Sequence, residues 1–595
     1  MAYFLVAWLI LLILSLAIGC GIMQGFGSPI SLLSATAQSR TGLAAPFSPE
    51  AILVIWVGLL GLAIALFTVS LFLPLSPGVG LLVGVGLAAG GCAHPPVRQA
   101  LGELGRAIVP WRWVGGLAIA LTTALITTQP VVWGDTGLYH YGSVRWLADY
   151  GTVIGVALIH DRFGFASSWF ALAAPFNPAM LGARAIALTN GFILLLVLLQ
   201  YWAILTRLFT EKTRLSDWFG LSSLSLLLAL FFSSSLMMDL IISPSPDIPI
   251  ILLAVVMAWF ILLTEHRTDT LNPARLAFII LSLGAASITL KLSGLPLLFI
   301  GVLFFGKQFW QRPRKLGQGI VLVGVLLTPG AVFGWLTSGC PLYPASVLCL
   351  DLPWSLPQAA AVVARAQING WQDWFGTPPE GALWLPWVLG QWLKTSITNK
   401  LFFILGLLSI IAVGALLRQV QRLAQPSLQV VSWVLLLGLS GSLFTVLLSP
   451  LLRFGLGYLI LIPTLLAAWL GMLWLEPRRS YPFRVAASSW GRSPVLGLGA
   501  IALLVALTLA TRRPWLWLPP SMQSGNVVAA EINDVRYFHP IDVGKGVCWD
   551  APNPCALGPI QGNIQLRQPS QGIAGGFQKV PSPSVGSPAA RPTGE

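Results

Sequence analysis

The chain has 595 residues, of which 56% are hydrophobic and 9% charged, with a mean hydropathy of +0.80 and a net charge of +14. A soluble domain carries about a quarter charged residues, so composition excludes a soluble globular protein and implies a polytopic membrane protein. The Lys/Arg excess then points to cytoplasmic loops facing anionic lipid rather than to nucleic acid, and the 25 tryptophans suit interfacial belts or sugar stacking.

A bilayer core of about 30 Å takes roughly 20 apolar residues per helix. Apolar runs at 3–23, 51–72, 80–92, 115–128, 181–205, 219–240, 248–264, 276–290, 295–305, 320–336, 401–417, 430–448, 456–475 and 496–510 are candidate spans. The runs at 80–92 and 295–305 are short, so the expectation is an all-α protein with 12–14 transmembrane helices. No A-x-A-like cleavage site follows the first run, which reads as a retained helix.

Alternate connections are basic: Arg98, Arg106 and Arg112; Arg207, Lys212 and Arg214; Arg267 and Arg275; Lys307, Arg312, Arg314 and Lys315; Arg418 and Arg422; then Arg478, Arg479, Arg484 and Arg492. The opposite side carries only Arg145, Arg162, Lys291, Arg365, Lys394 and Arg453, so the first set is cytoplasmic. Three segments then share the exoplasmic side: the loop 131–180, the loop 337–399 and the tail after 511. Cys340 and Cys349 fall in the second loop and Cys548 and Cys555 in the tail, which suits disulfides on the non-reducing side. Cys548 and Cys555 lack the paired C-x-x-C spacing of a zinc site. Cys20 and Cys92 read as free thiols in or beside spans.

The chain divides into N-terminal helices (1–113), a core (114–336), the second loop (337–400), C-terminal helices (401–511), a small cap (512–578) and a Pro/Ser-rich tail expected to be disordered (579–595). The second loop, rich in Trp, Pro and Gly, is expected to lie along the membrane or over a site, with Trp371, Trp374 and Trp384 as headgroup anchors or sugar platforms.

The stretch 131–170 holds three carboxylates, two histidines and two arginines at the end of an apolar span. Polar groups are expensive there, which marks a candidate site. Asp135 suits either a general base for an acceptor hydroxyl or the N-cap of a helix running to about Asp149, on which Arg145 and Asp149 would pair. Asp135-Thr136-Gly137 matches the aspartic-protease signature, but that chemistry needs two such carboxylates and no second D-T-G exists. Tyr139 and His140 follow, and His160-Asp161-Arg162 closes the loop with a second acid and either a phosphate clamp or a local salt bridge. Asp135, His140, His160 and Asp161 suit a divalent metal in kind, yet no spacing specifies one. In the S-P-S-P-D turn the prolines place Asp239 and Asp247 near the membrane surface, where Asp247 either caps the next helix or helps bind substrate. Lys291 and Arg453, at span ends, either snorkel to headgroups or converge on one phosphate.

Trp133–His140, His160–Phe170, Ser243–Asp247, Lys291–Pro296, Gly339–Pro344 and Cys548–Cys555 together resemble a bacterial group assigned to the glycosyltransferase-C superfamily. Its members are membrane enzymes that use polyprenyl-phosphate sugars. The resemblance implies a transferase in the plasma membrane with its site on the exoplasmic side. Carried over, the superfamily's first-loop acid falls on Asp135, as general base or acceptor-positioning group; His140 and Asp161 join the candidate catalytic set from their place in the same loop, not from the resemblance. The superfamily's phosphate-binding cations would fall on Lys291 and Arg453 and the product would be inverted; Tyr139, Arg162 and Asp247 are candidate binding residues from their place in the loop and the turn. Many members show Asp-Glu or Glu-x-Asp where this chain has Asp-Thr, which implies a metal-free displacement. A transporter or flippase would want ionisable groups near the bilayer midplane. A loop-arginine polymerase would want more exoplasmic arginines than this chain has.

Overall fold

The computed structural model describes residues 1–26, 48–107, 110–210, 214–264, 273–369, 371, 375–420, 425–474, 519–544, 546–560 and 564–580. It is mostly helical, 72% of it. In chain order the helices are α1 (Ala2–Gly25), α2 (Pro49–Ser70), α3 (Pro77–Cys92), α4 (Pro95–Ala107), α5 (Pro110–Thr127), α6 (Tyr141–Asp149), α7 (Ser168–Ala173), α8 (Leu188–Thr210), α9 (Leu215–Ser233) and α10 (Ser235–Ile241). They continue as α11 (Asp247–Leu263), α12 (Pro273–Leu290), α13 (Leu295–Phe309), α14 (Pro313–Ser338), α15 (Gln358–Asn369), α16 (Trp384–Thr395), α17 (Ile397–Val420), α18 (Gln425–Leu448), α19 (Leu452–Leu459) and α20 (Leu461–Trp474). Four short strands follow, β1 (Val527–Ile532), β2 (Val535–Pro540), β3 (Ile564–Leu566) and β4 (Phe577–Lys579).

Among the described residues nine helices are long and apolar enough to cross a membrane, so an integral membrane protein is the plain reading. This is fewer than the 12–14 expected. Val114–Thr127, Asp247–Leu263 and Ala274–Leu290 are apolar but shorter, and α3 bends by 102° into the amphipathic α4. Three boundaries also move. The run at 181–205 starts late, because Gly182 and Ala183 take positive φ and the helix forms only from Leu188. The run at 219–240 breaks at Ser234, whose backbone is extended and whose hydroxyl accepts from the Met237 amide to cap α10. The run at 456–475 extends back to Leu452 as α19 and α20. The run at 496–510 and the tail 581–595 lie outside the described residues.

α11 is apolar all round apart from its first residue, and every one of its residues is buried, so it forms the centre of the bundle. Around it pack α9, α12, α18 and α19. α12 and α13 form a tight antiparallel hairpin whose backbones meet at two glycines. A Cβ on Gly284 would lie 2.7 Å from the Leu297 carbonyl oxygen, and one on Gly301 would lie 3.2 Å from that of Ile280. The apex of that hairpin is Lys291.

The two loops and the tail pack together on one end of the bundle. The Thr152 amide donates to the Ser70 carbonyl at 2.7 Å and the Leu75 amide to Leu147 at 2.8 Å, seating the first loop on the end of α2. β1 and β2 pair antiparallel, Val527 opposite Pro540 and Ile532 opposite Val535, through a two-residue turn in which Asn533 and Asp534 both have positive φ. β3 and β4 pair antiparallel with Ile564 opposite Lys579. The Phe577 amide donates to Ile154 at 2.9 Å and the Lys579 amide to Pro353 at 2.8 Å, so the tail touches both loops. Disulfides join Cys340 to Cys349 and Cys548 to Cys555 in this layer, while Cys20 and Cys92 are free.

Candidate functional site

After α5 the chain turns through Trp133–Asp135 into a five-residue π-helical turn, Thr136–His140, that runs directly into α6. Single π turns interrupt the regular ladder and re-aim side chains, and they concentrate at functional sites. Asp135 stands at the start of this turn, yet its carboxylate caps nothing. It accepts instead from Arg453, Nη1 to Oδ2, at 2.6 Å. The N-cap alternative for Asp135 is therefore overturned, because a full cation outcompetes backbone amides for the same oxygen. Arg145 and Asp149 do sit 3.6 Å apart on α6.

Arg453 is the second residue of α19. Its guanidinium lies 5.2 Å from the centre of the Trp133 ring and 4.8 Å from that of Phe454. The pair is half-buried, with Asp135 27% and Arg453 21% exposed. Burial by itself would raise the Asp135 carboxyl. The Arg453 guanidinium overrides that, with His140 and Lys291 adding, and holds it below the usual carboxylate range.

A second ion pair lies beside the first. Asp247, the first residue of α11, bonds the Lys291 ammonium with one oxygen and accepts from Ser245 Oγ at 3.2 Å with the other. Neither oxygen caps the helix, so that alternative also fails, and Lys291 turns inward to Asp247 rather than out to lipid headgroups. Asp247 is 2% exposed and Lys291 25%. Lys291 Nζ is 4.3 Å from the centre of the Phe454 ring, the same ring that Arg453 covers. Tyr458 Oη donates to the Ser293 carbonyl at 2.8 Å and ties α19 to the hairpin apex. One aromatic ring thus gathers two cations, each neutralised by an aspartate from another element.

Behind Asp135 the wall is aromatic. Tyr139 packs edge-on to Phe165 at 5.7 Å, and His140 lies 5.3 Å from Phe170. His140 is 1% exposed, and burial pushes its imidazole down to about 4 against the pull of Asp135 and Asp247, so it is neutral at pH 7. Burial likewise drives the Tyr139 phenol up. His140 Nδ1, Thr136 Oγ1 and Trp133 Nε1 are buried with no hydrogen-bond partner among the described residues.

His160, Asp161 and Arg162 form a separate cluster. His160 Nδ1 lies 3.0 Å from Asp161 Oδ1, and its Nε2 3.2 Å from the Leu138 carbonyl. Arg162 donates to Gln367 Oε1 at 2.9 Å and stands 3.9 Å from Asp161. Burial would raise Asp161, but His160 and Arg162 together hold it low. Among the described residues no three His, Cys, Asp or Glu side chains converge, so Asp135, His140, His160 and Asp161 do not make one metal site.

The structure thus brings Asp135, Tyr139, His140, Asp247, Lys291 and Arg453 together and leaves Asp161 and Arg162 to one side. Trp371 is buried against Trp392 at 6.4 Å, Trp384 is exposed, and Trp374 lies outside the described residues. Sequence reasoning missed Phe454, whose only signal was adjacency to Arg453, and Ser245, legible as the serine of the S-P-S-P-D turn. It also missed Gln367 and Trp549, which reach the first loop from distant segments without any motif.

No curated protein and no solved structure matches the chain. A family model described as a domain of unknown function, DUF8201, matches residues 1–460, a stretch that contains every residue of the two ion pairs. The chain belongs to the DUF8201 family.

Proposed function

We propose that the protein is a membrane glycosyltransferase that moves a sugar from a polyprenyl-phosphate donor to an acceptor hydroxyl at the exoplasmic face, with inversion. The observation that carries this reading is the meeting of Lys291 and Arg453 over Phe454, beside a half-buried Asp135. Two cations within reach of one point suit a phosphate, and a neighbouring carboxylate suits a hydroxyl proton. In this reading the acceptor oxygen attacks the anomeric carbon and Asp135 takes its proton. The bond from that carbon to the phosphate oxygen breaks, and its electron pair leaves with the polyprenyl phosphate, which Lys291 and Arg453 hold.

The pairing also sets the order of events. While Arg453 holds Asp135, the carboxylate is ionised but weakly basic. A phosphate that engages Arg453 loosens that grip and raises the basicity of Asp135 where the acceptor arrives. Transport of a lipid-linked saccharide is the competing reading. It calls for ionisable groups in broken helices at the midplane, whereas Asp247, Lys291 and Arg453 lie at helix ends. The test is turnover of a panel of polyprenyl-phosphate sugars by the purified protein in lipid. Release of polyprenyl phosphate supports the enzyme, and tight binding of every saccharide without turnover supports transport.

A further inference from the structure

The π-helical turn that carries Asp135 is not held by its own loop alone. A segment of the tail more than 400 residues later closes over it. Trp549 lies flat on Gly137: a Cβ there would come within 2.4 Å of ring atom Cδ2, so only glycine leaves room for the indole. The Trp549 amide donates to the Gly137 carbonyl at 2.9 Å. Trp549 adopts φ +46°, a left-handed backbone that costs a bulky residue energy and persists only where its surroundings impose it.

Those surroundings are built for the purpose. The Cys548–Cys555 disulfide closes the loop that presents Trp549. The Phe538 amide donates to Pro554 and the Ala556 amide to Phe538, both at 2.9 Å, fixing the loop to β2. Asp550, next in sequence, accepts from the Gly525 amide at 3.1 Å. At the other end of the tail Phe577 is fully buried and packs edge-on to Trp146 of α6 at 6.2 Å. The tail therefore grips the turn and the helix that follows it at two separate points.

We infer that Trp549 is a positioning residue: through Gly137 it fixes the Thr136–His140 turn and so holds the Asp135 carboxylate against Arg453. The inference rests on Asp135 being the working carboxylate of the proposed site, and it makes the tail, which lies beyond the family match, part of that site.

The test does not require turnover. In the full chain in nanodiscs, carbodiimide and an amine label protonated carboxyls, and mass spectrometry follows Asp135 labelling against pH. Asp135 faces Arg453, His140 and Lys291, and Arg453→Gln serves as the reference for an unpaired carboxylate. Trp549→Ala should move the Asp135 midpoint to higher pH, toward that reference. Trp549→Phe, which keeps a ring on Gly137, should restore the wild-type profile, and Gly137→Ala, which pushes the indole away, should reproduce Trp549→Ala. Asp247, 2% exposed, is out of the reagent's reach, so a melting midpoint close to that of wild type reports that the bundle is intact. An Asp135 profile unchanged by Trp549→Ala, or shifted only together with loss of the folded bundle, overturns the inference. A protein that labels as expected but turns over no donor leaves the positioning role standing and removes the transferase reading.

Discussion

Arg453 reaches Asp135 across 318 residues of sequence, with 2.6 Å between guanidinium nitrogen and carboxylate oxygen. The contact joins the loop after α5 to the start of α19 and closes a ring of charge with Asp247 and Lys291 around Phe454. The ring has two unlike halves. Asp247 is fully enclosed and doubly bonded, a fixed counter-ion. Asp135 is half-buried, and among the described residues its carboxylate bonds only Arg453.

That difference sets the first prediction. Arg453→Gln and Lys291→Gln each remove one charge-assisted contact to a bound phosphate, worth about 1.5–3 kcal/mol, or roughly 10- to 100-fold in Kd. Titration of polyprenyl phosphate into the protein in nanodiscs checks this, and a cation whose loss leaves Kd unchanged is not a phosphate ligand.

His140 predicts a pH dependence. Burial holds its imidazole near 4 in the folded chain, against about 6.5 when unfolded. Between those values the unfolded chain binds a proton that the folded chain refuses, so stability is full above about pH 6.5 and falls as pH drops toward 4. Asp135 and Asp161, held low when folded, add their loss only below about pH 4. The melting midpoint of wild type should therefore fall across this window, and that of His140→Phe should fall less.

The α12–α13 hairpin supports Lys291 and tolerates no added volume at Gly284. Gly284→Val forces backbone apart at Leu297, an overpacking cost of about 1–3 kcal/mol. Gly306, on α13, has nothing within 4 Å of a built Cβ. Thermal unfolding should show a clear loss for Gly284→Val and none for Gly306→Ala, and equal behaviour would mean the helices are not in contact there.

The two loops and the tail touch one another, so they must share one side of the membrane. With Cys20 and Cys92 replaced by Ala, Met180→Cys in the first loop and Ile541→Cys in the tail, both exposed positions, should react with an impermeant maleimide on intact cells. Trp310→Cys, exposed on the basic side after α13, should react only after the membrane is opened. The reverse pattern would invert the orientation.

The helices were legible because apolar runs of this length have few other uses: thirteen of the fourteen runs fall on helices among the described residues, nine of them long and apolar enough to cross a membrane. Their ends were less so. Ser234 and the Gly182–Ala183 turn interrupt apolar sequence through backbone conformation, which hydropathy does not register. Lys291 and Arg453 were legible as costly charges at span ends, but their partners were not. Asp135 and Asp247 each looked like a helix cap locally, and only the packing of α11, α12 and α19 brings cations to them. Trp549 was beyond reach, since nothing in C-W-D indicates that its indole lies on Gly137.

The most direct measurement is donor turnover by wild type and Asp135→Asn side by side in lipid. The amide keeps the size of the carboxylate but cannot take a proton, so the account predicts that Asp135→Asn still binds the polyprenyl-phosphate sugar and loses most of the rate at which wild type releases polyprenyl phosphate. Equal rates from the two proteins would contradict it.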